Sequence, residues 1–258
     1  MKPLAGRTIL VTRPADQSVE LVRRLRRLGA AAIMAPTVEI TPVRSAALTA
    51  ALRDLSAGRF AWITLTSRAT VEMLVTRLDS PSDVRAKVAA IGDGTGRAFR
   101  AWARRPPDLM PATFTTAGLA RAFPRGEGRV LCARADIAPA GLEEALAAKG
   151  WSPIRADAYR TRMARALPAD ARAALRDGRI DAITFTSAST VRGFVGATGV
   201  VRGNPKVVVI GPVTAREARA RGLRVSAVAK PHTIEGVLNA LERVLGRTTS
   251  GSPRGGAA

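Results

Sequence analysis

Two short motifs recur in this chain, each where a β-branched run gives way to a helical one. Thr66-Ser67 follows AWITL, and Thr186-Ser187 follows DAITF. Ile-Gly-x-x-Thr stands at 91–95 (IGDGT) and again at 210–214 (IGPVT). In parallel α/β sheets, ligands gather where strand ends turn into helices. Helix N-termini at such turns present free N–H groups and a partial positive charge, which suits carboxylates. Gly92 and Gly211 at the strand ends let a ligand approach the backbone, and Thr95 and Thr214 can cap the helix and offer a hydroxyl. At the Thr-Ser turns the plain structural role is helix capping, by Ser67 or Thr70 and by Ser187 or Ser189. A cap at the rim of a cleft can also face a ligand.

Other residues narrow the chemistry. Gly92, Gly94 and Gly96 outline a dinucleotide fingerprint, but no acidic residue follows about 20 positions on at a strand end. The second copy also drops the later glycines. Tyr159, the one tyrosine, reads as a half-buried packing residue on its own. Arg13 follows the first strand; it can grip a carboxylate bidentately, and spacing alone equally leaves it a surface cation. His232 lies in KPHTIEGVL, where Thr233 looks like an N-cap, and it reads as loop. With one cysteine (Cys132) and one histidine, an internal disulfide, His-based triads and a structural zinc site are excluded as organising features. Hydroxyls, carboxylates, cations and backbone dipoles remain.

The net charge of +21 asks for an anionic partner, either nucleic acid or a carboxylate- or phosphate-rich substrate. Only Lys2, Lys87, Lys149, Lys206 and Lys230 are lysines, so the excess is arginine, as a GC-rich coding bias would also give. The cations are scattered rather than gathered in one arm, which disfavours a dedicated nucleic-acid segment. No apolar run approaches the roughly 18–20 residues of a membrane span. The start moves directly into a strand with no signal-peptide pattern. The expectation is a cytoplasmic protein with no membrane attachment.

The elements that must position these residues come in two copies. AWITLTSRATVEMLV (61–75) resembles DAITFTSASTVRGFV (181–195), and KVAAIGDGTGRAFRAW (87–102) resembles KVVVIGPVTAREARAR (206–221). RTILVTRP (7–14) resembles RVLCARAD (129–136). All three pairs share one order and nearly one offset, as a duplicated unit would. Asp16 to Leu28 places Val19, Leu21, Val22, Leu25 and Leu28 on an apolar face, closed by Gly29. TVEITPV alternates and reads as extended. Helices are predicted at 45–57, 68–78 and from about Thr95. Strands alternating with helices imply parallel sheets covered by helices. The tail from 246 (GRTTSGSPRGGAA) has no apolar periodicity and is expected to be disordered.

VTRP (11–14), WITLTS (62–67), IGDGT (91–95), AYRT (158–161), AITFTS (182–187), IGPVT (210–214) and VAKPHTIEGV (228–237), taken together, resemble the uroporphyrinogen-III synthase family nearly throughout the chain. The resemblance implies an α/β fold of two Rossmann-like or flavodoxin-like lobes with parallel sheets and a cleft between them. One lobe would hold 1–36 plus 166–245, the other 45–156, with a two-stranded extended linker at 37–44 and 157–165 that allows hinge motion. It implies a monomeric hydro-lyase without cofactor or metal. This enzyme would cyclise the linear tetrapyrrole hydroxymethylbilane to uroporphyrinogen III, with inversion of ring D, in contact at most transiently with hydroxymethylbilane synthase.

Carried across by motif, Tyr159 matches the tyrosine that assists the departing hydroxyl. Thr66, Ser67, Thr95, Ser187 and Thr214 match hydroxyls lining the cleft. Arg13, Gly92, Ser189, Gly211 and Lys206 complete the expected substrate-binding set, Lys206 because its position is sometimes basic in the family. Gly94 and Gly96 depart from the family pattern and predict a more flexible first turn, and Cys132 is expected as buried packing. Two other functions fit the same composition. One is a non-catalytic two-lobe binder of an anionic ligand; the other is a basic nucleic-acid-binding regulator, whose affinity would fall steeply with salt.

Overall fold

A computed structural model describes residues 2–246 of the chain; the tail expected to be disordered lies, beyond Gly246, outside the described residues. The chain divides into two compact units, Met1–Glu39 with Met163–Ala258, and Ile40–Arg162. Both are α/β, and every pair of strands with a defined register is parallel.

The first unit contains β1 (Thr8–Val11), α1 (Ala15–Arg27) and β2 (Ala31–Met34). After the chain returns it adds α7 (Ala169–Arg176), β8 (Ala182–Phe185), α8 (Ala188–Ala197), β9 (Lys206–Val209), α9 (Pro212–Ala220), β10 (Val225–Val228) and α10 (Ile234–Leu245). The sheet order is β10-β9-β8-β1-β2. The central strands are continuous apolar runs because helices cover both faces. Leu10, Ile183, Phe185 and Val209 pack on one side with Phe194 and Ala218. Ile9, Val11, Ala182 and Val208 pack on the other with Leu21, Leu25 and Leu241. Helix α1 buries Ser18, Leu21, Val22 and Leu25, but Val19 is 64% exposed. At about 100° per residue Ser18, not Val19, falls on the axis of the stripe. Its hydroxyl is satisfied by donating to the Pro14 carbonyl at 2.9 Å.

The second unit holds α2 (Ala46–Ser56), β4 (Trp62–Leu65), α3 (Arg68–Arg77), β5 (Lys87–Ala90), α4 (Asp93–Ala103), α5 (Thr116–Ala122), β6 (Arg129–Ala135) and α6 (Gly141–Ala147). The extended segments β3 (Val38–Pro42) and β7 (Ser152–Met163) carry the chain from one unit to the other and complete the sheet β3-β7-β6-β4-β5. The duplication is visible element by element. The run β8-α8-β9-α9 repeats β4-α3-β5-α4, and β1-α1-β2 repeats β6-α6-β7. Where β10 flanks β9, the backbone at Leu109 flanks β5 through a parallel bridge with Ala89. Among the described residues no helix is long and apolar enough to cross a membrane.

Candidate functional site

Parallel strands end at one edge of their sheet, so each unit gathers its repeated turns along that edge. In the first unit these follow β1, β8, β9 and β10; in the second they follow β4, β5 and β6. Backbone bonds extend the ladders one residue past the strands. The Ile210 N–H donates to the Phe185 carbonyl at 2.9 Å, and in the other copy Ile91 donates to Leu65 at 3.0 Å. The Thr-Ser turn and the Gly-x-x-Thr turn are thereby fixed side by side in each unit.

The Thr-Ser turns are capped as expected. Ser67 accepts from the Thr70 N–H and Ser187 from the Thr190 N–H, so serine at the first position is the cap in both copies. Thr66, Ser67, Ser187 and Ser189 are all half-buried, and the Ser187 and Ser189 hydroxyls lie 2.9 Å apart.

The Gly-x-x-Thr turns are built differently from the sequence expectation. Helices α4 and α9 begin ahead of the threonines, and the N-caps are Gly92 and Gly211, neither of which supplies a side-chain cap. Thr95 and Thr214, 5% and 3% exposed, are buried in the first turn instead of capping it. The amide groups that open these two helices therefore have no side chain of the cap residue on them, which leaves them to water or a ligand. Gly94 and Gly96 are helical, not parts of a loose turn. At Gly96 a Cβ would stand 2.7 Å from the Met110 sulfur, so this glycine serves close packing, whereas Gly94 faces open space.

Tyr159 lies in β7 and is 8% exposed. Burial pushes its phenol above the ordinary tyrosine range, opposed by the neighbouring Ser67 hydroxyl and by the positive charge of Arg134. The structure thus brings Tyr159 and Ser67 together. Arg13, half-buried after β1, donates to the Gln17 side chain at 3.4 Å. Lys206 is not gathered with the others. It opens β9, whereas Gly211 lies beyond that strand's carboxyl end at Val209, which is itself about 10 Å from Lys206 at 3.3 Å per residue. Cys132 is fully buried in β6, and burial raises its thiol to about 11.

Two features are absent from the sequence expectations. The first is a buried ion pair, Arg134 to Glu143 at 2.7 Å, with side chains 3% and 12% exposed. Arg134 also donates to the Pro139 carbonyl, and Arg155 donates to the carbonyls of Ala135, Asp136 and Ala138. These cations hold the loop after β6 against β7, where the Asp136 carboxylate accepts from the Thr161 N–H. An arginine inside the apolar run VLCAR was the available signal. The second is a further repeat: Phe114-Thr115-x-x-Gly118-Leu119 matches His232-Thr233-x-x-Gly236-Val237. Thr115 caps α5 and Thr233 caps α10, each accepting from the glycine amide three residues on. In both copies that glycine is obligatory, since a Cβ would meet a backbone oxygen at 2.0 Å (Gly118) or 1.9 Å (Gly236). The spacing was legible, but its one shared pattern of Thr and Gly is too sparse to stand out.

Chemically, each unit offers a row of hydroxyls and uncapped amides, suited to carboxylates and devoid of a strong base. Among the described residues no cluster of His, Cys, Asp and Glu could hold a metal ion.

A family model described as uroporphyrinogen-III synthase HemD matches residues 19–239. A uroporphyrinogen-III synthase of Synechococcus elongatus is 33% identical over 267 residues, spanning 96% of this chain and 99% of its own length. Among solved structures, a mutant uroporphyrinogen III synthase of the extremely thermophilic bacterium Thermus thermophilus superposes with a TM-score of 0.68 at 21% identity, covering 94% of this chain and 100% of that one. A uroporphyrinogen-III synthetase of Helicobacter pylori gives 0.62 at 18% identity, over 92% and 99%. At such identities the superpositions establish the shared fold.

Proposed function

Since this chain belongs to the uroporphyrinogen-III synthase family, we propose that it is a hydro-lyase closing hydroxymethylbilane to uroporphyrinogen III, and that the repeated strand-end turns bind the substrate's carboxylates. The observation that carries the binding role is the pair of helices opened by Gly92 and Gly211 without a side-chain cap, each beside a hydroxyl-rich Thr-Ser turn.

The substrate is intrinsically reactive and cyclises unaided to the wrong isomer. The protein's task is to hold it curled so that the substituted carbon of ring D is the atom that attacks, which is work for proximity and orientation. The hydroxymethyl C–O bond breaks as the oxygen takes a proton and leaves as water. The pyrrole nitrogen lone pair stabilises the azafulvene cation so formed. Attack by ring D gives a spiro intermediate, which reopens at the bridging carbon and closes again at the free α-position with loss of a ring proton.

We assign the proton delivered to the departing hydroxyl to the Tyr159 phenol. Burial keeps that phenol protonated, and the neighbouring Ser67 hydroxyl, with Arg134 nearby, stabilises the phenolate left behind. Amides at Gly92–Thr95 and at Gly211, Val213 and Thr214 and the hydroxyls of Thr66, Ser67, Ser187 and Ser189 supply neutral donors for the side-arm carboxylates, with Arg13 as a charged one. Incubation with hydroxymethylbilane, followed by chromatographic resolution of the product isomers, tests the reading. Isomer III formed faster than spontaneous closure is expected; isomer I alone, at the spontaneous rate, would leave only a non-catalytic binder.

A further inference from the structure

The duplicated Phe114/His232 position differs in chemistry between the two copies. In the second unit, the ring of Phe114 sits on Gly92, with a Cβ there only 2.7 Å from its Cγ. In the first unit, His232 occupies the same place over Gly211, and a Cβ would lie 3.5 Å from its Cγ. Both rings thus lean from the segment before a Thr-capped helix onto the glycine that opens the neighbouring helix. Phe114 is half-buried and apolar; His232 is exposed and can carry charge.

The imidazole is oriented. His232 Nδ1 lies 2.8 Å from the Ala229 carbonyl oxygen, an acceptor only, so Nδ1 bears the proton. Nε2 is then the nitrogen left to bind, and among the described residues it has no hydrogen-bond partner. Its own turn carries Lys230 before it and Glu235 after it, and Glu235 is paired with Arg24 of α1. Helix α9, against which the ring stands, has no acidic residue in its first turn and no side-chain cap. Among the described residues no carboxylate is hydrogen-bonded to Nε2, while the amide end of α9 favours an anion beside it.

We propose that His232 binds one carboxylate arm of the substrate through Nε2–H, as an imidazolium seated over the Gly211 turn, and that the duplicated turn at Gly92 and Phe114 lacks this grip. The two half-sites are therefore unequal: one holds a carboxylate with a charged ring and amides, the other presents amides beneath an apolar ring. This assignment rests on reading the chain as a polycarboxylate-binding synthase. It makes binding proton-linked, since the ring must be protonated at both nitrogens to donate to the ligand and to Ala229 together.

His232 is the only histidine, so its imidazole resonances need no assignment. The full-length protein is titrated with uroporphyrin III, the stable octacarboxylate form of the product, and with its octamethyl ester. Tryptophan fluorescence reports binding independently. The acid should move the imidazole signals and raise their titration midpoint, and the ester should do neither. His232→Phe, which copies the other half, should raise KM several-fold with kcat and melting temperature nearly unchanged, and His232→Gln should do the same. Imidazole signals that stay still while fluorescence reports binding, or an unchanged KM in both variants, would overturn the proposal. Absence of any binding would overturn the polycarboxylate reading itself and is told apart by the fluorescence.

Discussion

The Ser67 hydroxyl stands by the phenol of Tyr159 and favours its ionised form, so the turn after β4 meets strand β7 within one unit. Ser67 thereby has two duties, since it also caps α3 through the Thr70 N–H. Replacing Tyr159 by Phe removes the proton donor and leaves the ring's packing in place. Turnover should fall by about 100-fold, the ordinary worth of a positioned acid. Affinity for uroporphyrin III should change little, and steady-state kinetics beside a binding titration separate the two.

Ser187 caps α8 as Ser67 caps α3, but only Ser67 stands by the phenol. Ser67→Ala and Ser187→Ala should each cost about 1 kcal/mol in chemical denaturation, the usual value of an N-cap. Only Ser67→Ala should also depress kcat when substrate is saturating. Equal kcat in the two variants would remove the second duty.

The two strand-end glycines should respond differently to a methyl group. At Gly92 the new Cβ would meet the Phe114 ring at 2.7 Å, so Gly92→Ala must displace that ring and should cost roughly 1–3 kcal/mol. Adding Phe114→Ala to it should return part of the loss. At Gly211 the contact is an ordinary 3.5 Å, so Gly211→Ala should fold with near-native stability yet raise KM by crowding the amides. Thermal melts and KM values of the three proteins check this.

Removing Glu143 leaves Arg134 as a buried cation with only carbonyl partners. Glu143→Ala should cost about 3 kcal/mol, and Glu143→Gln less, because the amide oxygen still accepts. Because the same cations anchor the loop at 135–140, amide exchange there should accelerate in Glu143→Ala.

Cys132 gives a pH dependence with a definite sign. Its thiol rises from an ordinary value of 9.0 to about 11 in the fold, chiefly through burial. The unfolded chain therefore ionises first as pH increases. Stability from this group is complete below about pH 9 and is lost between pH 9 and 11, by about 3 kcal/mol at 1.36 kcal/mol per pKa unit. Tyr159, raised in the same direction, adds to the loss above its ordinary range. Denaturation midpoints across this range should be flatter in Cys132→Ala than in the parent.

Much of the fold was legible because its signals are local. The apolar runs TILV, WITL and AITF became buried strands, and Thr-Ser predicted two helix starts that serine does cap. What escaped depended on angle and on partners. Ser18 replaces Val19 in the core of α1 by geometry that hydrophobicity alone does not reveal. Thr95 and Thr214 looked like caps because hydroxyls usually cap, yet the helices start earlier on glycine. Lys206 was placed by motif position, and the strand direction puts it at the wrong end of β9. The Arg134–Glu143 pair and the His232–Gly211 stacking join segments whose proximity exists only once the chain has folded.

The central claim is that backbone amides and hydroxyls at the strand-end turns, rather than the scattered arginines, hold the substrate's carboxylates. Backbone amide resonances of the full chain, followed while uroporphyrin III is added, test it most directly. The account predicts that the signals of Gly92–Thr95, Val213, Thr214, Ser67 and Ser187 move, and that the octamethyl ester moves none of them. If those signals stay fixed while residues of the cationic groove on α1, lined by Arg23, Arg26 and Arg27, shift instead, the account is contradicted.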